Sequence, residues 1–184
     1  GTLTLSGKIN GGSSTLQKTG AGTLIISGSG NNQLSTVVGA GTVFQLGQDN
    51  VPVFVSTSGT LQGNGRIGIL NMSAGQNGTV TPGTQTSNVA VLTTSGISAQ
   101  SSVGVFSFDL NTSGAVAGTA YDQLAVNGTV NLSGGPVLNV NLNFTPTVRG
   151  NNYTIISNDG SDAVIGTFNG LAEGALITQT DTSG

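Results

Sequence analysis

Few residues in this chain of 184 could take part in covalent chemistry. The sequence contains no His and no Cys, so it has neither an imidazole base nor a thiolate nucleophile. Lys8 and Lys18 could each activate a serine, but both flank Gly-rich turns, and we interpret them as solvated. Two well-separated carboxylates could hydrolyse a glycoside, yet there is no Trp, and only Tyr121 and Tyr153 could add to an aromatic platform. The sequence therefore predicts that this chain is not an enzyme.

The most promising ion-binding segment is Asn158–Asp162, with the sequence Asn-Asp-Gly-Ser-Asp. Calcium prefers about six to eight oxygen ligands, and this segment offers carboxylate, amide and carbonyl oxygens close together. The segment lacks the spacing and the final Glu of an EF-hand, and the chemistry of an Asx-Gly turn explains the same residues without a metal. Asp159 and Asp162 are therefore candidate calcium ligands, and we expect no other cofactor. Asp122 is predicted to cap a turn rather than to pair with a cation.

Charge and hydropathy argue against two classes of partner. The formal net charge is −3, and the basic residues are the four scattered side chains Lys8, Lys18, Arg66 and Arg149. Such spacing cannot form a stripe that follows a phosphate backbone, so we expect no nucleic acid partner. No apolar run reaches the roughly 18 residues of a membrane helix, so we expect no membrane insertion by this segment.

A Gly-Thr-hydrophobic marker recurs along the first part of the chain. It begins at Gly1, Gly22, Gly41, Gly59 and Gly78, which gives spacings of 21, 19, 18 and 19 residues. A period near twenty in short β-type runs is typical of one coil of a β-solenoid, in which each coil stacks on its neighbours. At that period the chain would form roughly nine coils and a rod on the order of 40 Å long.

The rest of the pattern predicts an all-β fold without α-helices. Short apolar or alternating runs end in Gly, Asn and Ser, and no segment repeats apolar residues at helical spacing. From about residue 96 the runs lengthen, as in 103–110 and 137–144, and apolar residues alternate with polar ones. We therefore assign residues 1–95 to short-period solenoid coils. Residues 96–184 form a longer-strand C-terminal β region that continues or caps the solenoid, with broader rungs or a β-sandwich as alternatives.

Several segments resemble autotransporter-associated β-strand repeats, also called passenger-associated transport repeats. The segments are Lys18–Gly28 (KTGAGTLIISG), Gly59–Ile67 (GTLQGNGRI), Gly78–Gly83 (GTVTPG), Tyr121–Gly134 (YDQLAVNGTVNLSG) and Tyr153–Phe168 (YTIISNDGSDAVIGTF). The resemblance implies a right-handed parallel β-helix from a large bacterial surface or secreted protein. It also implies a location outside the cell or on the cell surface of a Gram-negative-type bacterium. Since Gly1 opens directly into a strand pattern, we expect the chain to be part of a longer protein.

These features predict a structural role. We expect a non-enzymatic module that builds a stiff rod or filament for adhesion, biofilm or envelope coating. Expected partners are further copies of the chain, associating end to end or in a lattice, and surface glycans. Stacked Asn and Thr side chains should form hydrogen-bonded ladders between coils. The alternatives are a carbohydrate- or calcium-dependent binding module and, less favoured, a polysaccharide-degrading β-helix enzyme.

Overall fold

The computed structural model describes residues 1–114, 116–145, 151–160 and 162–177, and within these ranges it contains strands, turns and loops but no helix. The strands are β1 (Thr2–Leu5), β2 (Thr15–Lys18), β3 (Thr23–Ile26), β4 (Ser35–Gln45), β5 (Val53–Gly63), β6 (Arg66–Met72), β7 (Thr79–Val80), β8 (Val91–Ala99), β9 (Val105–Leu110), β10 (Gln123–Val126), β11 (Val130–Leu132), β12 (Val137–Leu142), β13 (Ile156–Asn158) and β14 (Ile165–Gly166).

In the early rungs, the strands that contain the Gly-Thr-hydrophobic marker stack on one another. This first stack consists of β1, β3, the second half of β4, the second half of β5, β7, β9 and β12, all in parallel register. The marker threonines are direct partners, so Thr2 pairs with Thr23 and Thr23 with Thr42. The prediction of an all-β parallel solenoid is therefore confirmed.

A second stack runs beside the first, and a third stack joins them from β6 onward. The second stack contains β2, the first parts of β4 and β5, the ends of β6 and β8, then β11 and β14. The third stack contains the beginnings of β6 and β8, followed by β10 and β13. Every ladder between two of these strands is parallel, because each rung passes through the stacks in the same direction.

The longer strands of the C-terminal region continue the solenoid as broader rungs. β9 pairs with β7, and β12 pairs with β9, so both belong to the first stack. Thr79 pairs with Val105 and Val105 with Val137, so successive rungs lengthen to 26 and then 32 residues. The boundary that we placed between residues 95 and 96 falls within the continuous strand β8. The described residues place seven strands in the first stack instead of the expected nine coils, because the later rungs contain more residues.

The core is a continuous column of apolar side chains. In the first stack, Leu24, Val43, Leu61, Val80 and Phe106 occupy successive partner positions, and all are at least nine-tenths buried. Burying each side chain of this size stabilises the fold by about 1.5–3 kcal/mol. These residues lie at inward positions along each strand, as the alternation predicts.

Glycine is required where the chain turns between the first and third stacks. Gly28, Gly47 and Gly65 follow successive strands of the first stack, and the amide of Gly47 donates to the carbonyl of Ile26 at 3.0 Å. A Cβ at Gly47 would overlap the carbonyl oxygen of Gly28, and a Cβ at Gly28 would overlap that of Gly7. The backbones of neighbouring rungs therefore approach too closely here for any side chain.

Two parts of the fold were not predicted from the sequence. β2 contains one apolar residue, Leu16, and the first half of β4 (35–38) follows a polar loop, so neither shows a strong strand pattern. Their pairing explains them, since β2 lies in register with residues 35–38 of β4 and Leu16 packs at the edge of the core. Stacking on a neighbour supplies the strand preference that the local sequence lacks.

We expect Gly47→Ala to destabilise the fold by about 3 kcal/mol, because the new methyl group would overlap a main-chain carbonyl that is held by its own rung. Chemical denaturation followed by circular dichroism measures this change. Gly7→Ala is the matched control, because nothing lies within 4 Å of a Cβ at that position. Equal stability of the two variants would contradict the proposed packing at the corner.

Candidate functional site

A row of amide and carboxylate groups lies on the outer face of β9 and β12. Asn141 Nδ2 donates to Asp109 Oδ1 at 2.9 Å and to Ser107 Oγ at 3.2 Å, and Asn143 Nδ2 donates to Asn111 Oδ1 at 2.9 Å. Asn111 Nδ2 in turn donates to Asn88 Oδ1 at 2.8 Å. We call these six residues the polar row. They form the cross-rung ladder of hydrogen bonds that the Asn-rich sequence predicts, and they leave polar groups facing solvent.

Asp122 joins two separate main-chain segments beneath this row. Its carboxylate accepts the amide of Ala90 at 2.8 Å and the amide of Asp109 at 2.9 Å, while its own amide donates to the carbonyl of Asp109 at 2.9 Å. The side chain is fully buried. The carboxylate therefore does more than cap a turn, because it accepts amides from two rungs at the base of the excursion whose described residues are 111–114 and 116–121.

Burial is the main electrostatic influence on this carboxylate. It raises the pKa of Asp122 from 3.8 to about 7, the neighbouring Asp109 carboxylate adds to the rise, and the amides of Asp109 and Ala90 oppose it. A group whose pKa is higher in the folded protein than in the unfolded chain binds its proton more tightly when folded. Ionisation of Asp122 therefore weakens the fold as the pH rises between about 4 and 7.

The excursion above Asp122 has a small core of its own. Leu110, Ala120 and Tyr121 are buried together, and the rings of Tyr121 and Tyr153 meet edge to face with centroids 5.2 Å apart. The Tyr153 hydroxyl donates to the carbonyl of Thr112 at 3.1 Å. Both tyrosines therefore hold the excursion against the solenoid, and neither belongs to an open aromatic platform.

Lys18 has a structural role that the sequence did not reveal. Its Nζ donates to the carbonyl oxygens of Gly20 at 2.6 Å, Ala40 at 3.0 Å and Thr19 at 3.1 Å. It pairs in register with Val38, an inward position of the second stack. Lys18 is only partly exposed, and its ammonium group joins the turns of two successive rungs. All three of its donors are used in these contacts.

A buried polar network occupies the third corner of the early rungs. Asp49 accepts hydrogen bonds from the Asn31 main-chain amide at 2.9 Å, from Asn31 Nδ2 at 2.5 Å and from Gln45 Nε2 at 2.9 Å. Asn31 Oδ1 accepts the amide of Ile9 at 2.7 Å. The side chains of Asn31 and Asp49 therefore each accept a main-chain amide of the preceding rung. Aligning the rungs on their glycines would have placed Asn31 and Asp49 at the same corner, but the residue types alone do not show that they are buried.

The predicted calcium loop lies after β13. Asp159 and Asp162 are both exposed, and Asn158 Nδ2 donates to the carbonyl of Asp162 at 2.6 Å, which closes the loop. Gly160 has φ +84°, as an Asx-Gly turn requires. The described residues contain no group of three or more His, Cys, Asp or Glu that could hold a metal. Calcium binding by Asp159 and Asp162 therefore stays a prediction.

The described carboxylates differ in their access to solvent. Asp109 and Asp122 are neighbours, but Asp122 is fully buried and only Asp109 reaches the surface. Arg149, a basic residue that a polysaccharide-degrading site would recruit, lies outside the described residues. Asp109 and Asp122 therefore do not provide a pair of carboxylates on an open sheet face.

No protein-family model matches the chain, and no curated protein matches it. Among the described residues, no helix is long and apolar enough to cross a membrane.

We expect the free energy of unfolding to fall as the pH rises from about 4 to about 7, with a slope of up to about 1.4 kcal/mol per pH unit. Above that range the contribution of Asp122 is constant. Denaturant titrations across this range measure the slope. Asp122→Asn should remove the dependence, whereas the exposed control Asp162→Asn should keep it. An unchanged slope in Asp122→Asn would show that another group is responsible.

Proposed function

We propose that this chain is a non-enzymatic structural module of a bacterial extracellular or cell-surface protein, which forms a stiff rod for adhesion, biofilm or envelope coating. The observation that carries the proposal is the unbroken parallel register of seven strands in the first stack. At the usual spacing between strands, this stack is on the order of 30 Å long. Bending such a rod would stretch the hydrogen bonds of the stack on the outside of the bend and compress those on the inside, so the module resists deformation.

The polar side chains of the surface support the role in adhesion. The polar row presents Asn, Asp and Ser groups at intervals that the rungs fix, and these groups can make repeated weak contacts with a polar surface. Many such contacts along one rigid body add up, because binding at one point raises the effective concentration at the next. The location outside the cell depends on the resemblance of Lys18–Gly28, Tyr121–Gly134 and Tyr153–Phe168 to autotransporter-associated repeats.

Intact cells of the source bacterium test the location and the role. An antibody against the folded module should label unpermeabilised cells, and a deletion of the module should reduce attachment and biofilm without slowing growth. An antibody against a cytoplasmic protein controls for lysis. Labelling that requires permeabilisation, or normal attachment after the deletion, would contradict the proposal.

A second candidate function is a binding module for calcium or glycans. Calcium is favoured by the loop after β13, where Asn158 Oδ1 is buried without a hydrogen-bond partner in the described part of the chain and the carboxylates of Asp159 and Asp162 lie nearby in sequence. Glycans are favoured by the polar row, whose amides and carboxylate can exchange hydrogen bonds with sugar hydroxyls.

Isothermal titration calorimetry with calcium separates this candidate from a purely structural role. If the loop binds calcium, the chain should release or absorb heat with a stoichiometry of one, and Asp159→Asn with Asp162→Asn should abolish the signal, because both remove carboxylate charge from the loop. The matched control is Glu173→Gln, because Glu173 is exposed like the two loop residues, whereas Asp49 is buried. The absence of heat in the unaltered chain would rule out the calcium form of this candidate.

A further inference from the structure

One small set of hydrogen bonds holds the base of the excursion. Asp122 Oδ1 accepts the amide of Ala90 at 2.8 Å, and Asp122 Oδ2 accepts the amide of Asp109 at 2.9 Å. The amide of Asp122 donates to the carbonyl of Asp109 at 2.9 Å, beside an antiparallel bridge between Leu110 and Tyr121. We call Ala90, Asp109 and Asp122 the clasp. It joins stretches of main chain that lie 32 and 13 residues from Asp122 in the sequence.

The clasp buries a carboxyl group without a cation beside it. Asp122 is fully buried. The described residues around it belong to the ranges 88–91, 105–114, 116–126, 137–142 and 151–155. Within these ranges the other titratable groups are Asp109, Tyr121 and Tyr153, and there is no Lys or Arg. Because a buried charge without a counter-charge is costly, the closed clasp favours the protonated form of Asp122.

Opening the clasp would remove that cost, because the carboxyl group would then meet water. Burial holds the pKa of Asp122 at about 7 in the closed clasp, whereas an exposed carboxyl group has the ordinary pKa of 3.8. Between these two values the closed form keeps a proton that the open form releases. The ratio of open to closed clasps therefore rises by up to about tenfold per pH unit from about pH 4 to about pH 7, and it is constant above that range.

The clasp also positions one end of the polar row. Asn88 lies two residues before Ala90, and Asn111 lies two residues after Asp109. The side-chain amides of Asn88 and Asn111 bond reciprocally at 2.8 and 3.2 Å, and Asn143 Nδ2 reaches Asn111 Oδ1 at 2.9 Å. The main chain that carries Asn88 and Asn111 is held by the two amides that Asp122 accepts. This end of the row therefore depends on the clasp.

We propose that the clasp is a proton-controlled switch, which holds the excursion closed while Asp122 carries a proton and releases it, together with the Asn88–Asn111 end of the polar row, once Asp122 ionises. The released form exposes the small core around Tyr121 and leaves the polar row with its groups on the strands, such as Ser107. Contacts through the row are therefore stronger in acid than at neutral pH. This regulation rests on the proposed adhesive role of the row, whereas the opening itself does not.

Amide hydrogen exchange followed by NMR measures the opening at single amides. The protection factors of Ala90 and Asp109 should fall by up to about tenfold per pH unit from about pH 4 to about pH 7 and then level off. The amide of Thr42, which donates to the carbonyl of Gly22 in an early rung, is the internal reference. It should be at least about tenfold better protected at every pH, because the clasp opens locally. Equal protection of all three amides would overturn the proposal.

Two substitutions change the switch in different ways. Asp122→Asn removes the titrating group, so the pH dependence at Ala90 should disappear, while Asp162→Asn at an exposed carboxylate should keep it. Asp109→Asn keeps the Asp122 carboxyl group but removes the neighbouring charge that helps to keep it protonated. The fall in protection should then level off at a lower pH, which tests the switch even where Asp122→Asn fails to fold. A dependence that persists in folded Asp122→Asn, or a range unchanged in Asp109→Asn, would overturn the proposal.

Cell attachment at pH 5 and at pH 7.5 tests the regulation of the polar row. Cells with the unaltered module should lose part of their attachment at the higher pH, and cells with Asp122→Asn should attach equally at both. Cells that lack the module control for other adhesive surfaces. Equal attachment of the unaltered cells at both values would overturn the regulation, although labelling of intact cells would still support the proposed function. If the deletion leaves attachment normal, the proposed function fails, but hydrogen exchange still decides whether the clasp opens.

Discussion

The rest of the structure depends on the close contact between the main chains of successive rungs. Parallel hydrogen bonding holds neighbouring strands about 4.8 Å apart, and the corners must keep that spacing as the strands do. At Gly28 and Gly47 the carbonyl of the preceding rung lies where a side chain would begin. The interval between glycines therefore sets the length of a rung, and the strands between them lie in register. The Gly-Thr-hydrophobic marker is a consequence of this spacing rather than of any chemistry on the threonine.

This constraint explains why the interior changes along the rod. In the early rungs the third corner holds Asn31 and Asp49, whose side-chain oxygens accept amides of the preceding rung. From Ile67 onward, residues of the third stack pair strand to strand, so Ile67 partners Thr94. Strand pairing satisfies main-chain amides there, so apolar side chains such as Ile67 can enter the corner. The buried Thr94 remains beside them, and its hydroxyl donates to the carbonyl of Gly68 at 2.6 Å. The rungs then widen, and Phe106 and Phe108 fill the larger interior.

The repeat could be predicted from the sequence because the glycines and short apolar runs that produce it are local and recur. The runs 103–110 and 137–144 were predicted as long alternating strands, and they contain β9 and β12. The hydrogen bonds of Lys18 were not predicted, because they depend on the turns of its own and the next rung, which a linear sequence does not place side by side. The number of rungs was overestimated for a related reason. The described residues of the excursion, 111–114 and 116–121, include Ala120 and Tyr121, which form a small core with Leu110. The excursion therefore lengthens one rung instead of building another.

The environment of Asp122 depends on main-chain amides that are distant from it in the sequence. Tyr121 and Asp122 close the neck of the excursion, where the chain leaves the first stack at Leu110 and returns toward β10. Amides at such a junction lack the partners that a regular ladder would provide, so a side-chain acceptor must replace them. A carboxylate can accept two amides from different rungs at once, which a hydroxyl group of Ser or Thr could not do at the same reach.

The hydrogen-bond pattern of the first stack extends beyond β12. After β14 the amide of Asn169 donates to the carbonyl of Pro136 at 2.9 Å, as Val137 donates to Gly104 one rung earlier. A turn at Gly170, with φ +69°, follows directly. Since every ladder between the described strands is parallel, each rung presents one surface to the rung before it and a different surface to the rung after it. The solenoid therefore has a direction along its axis.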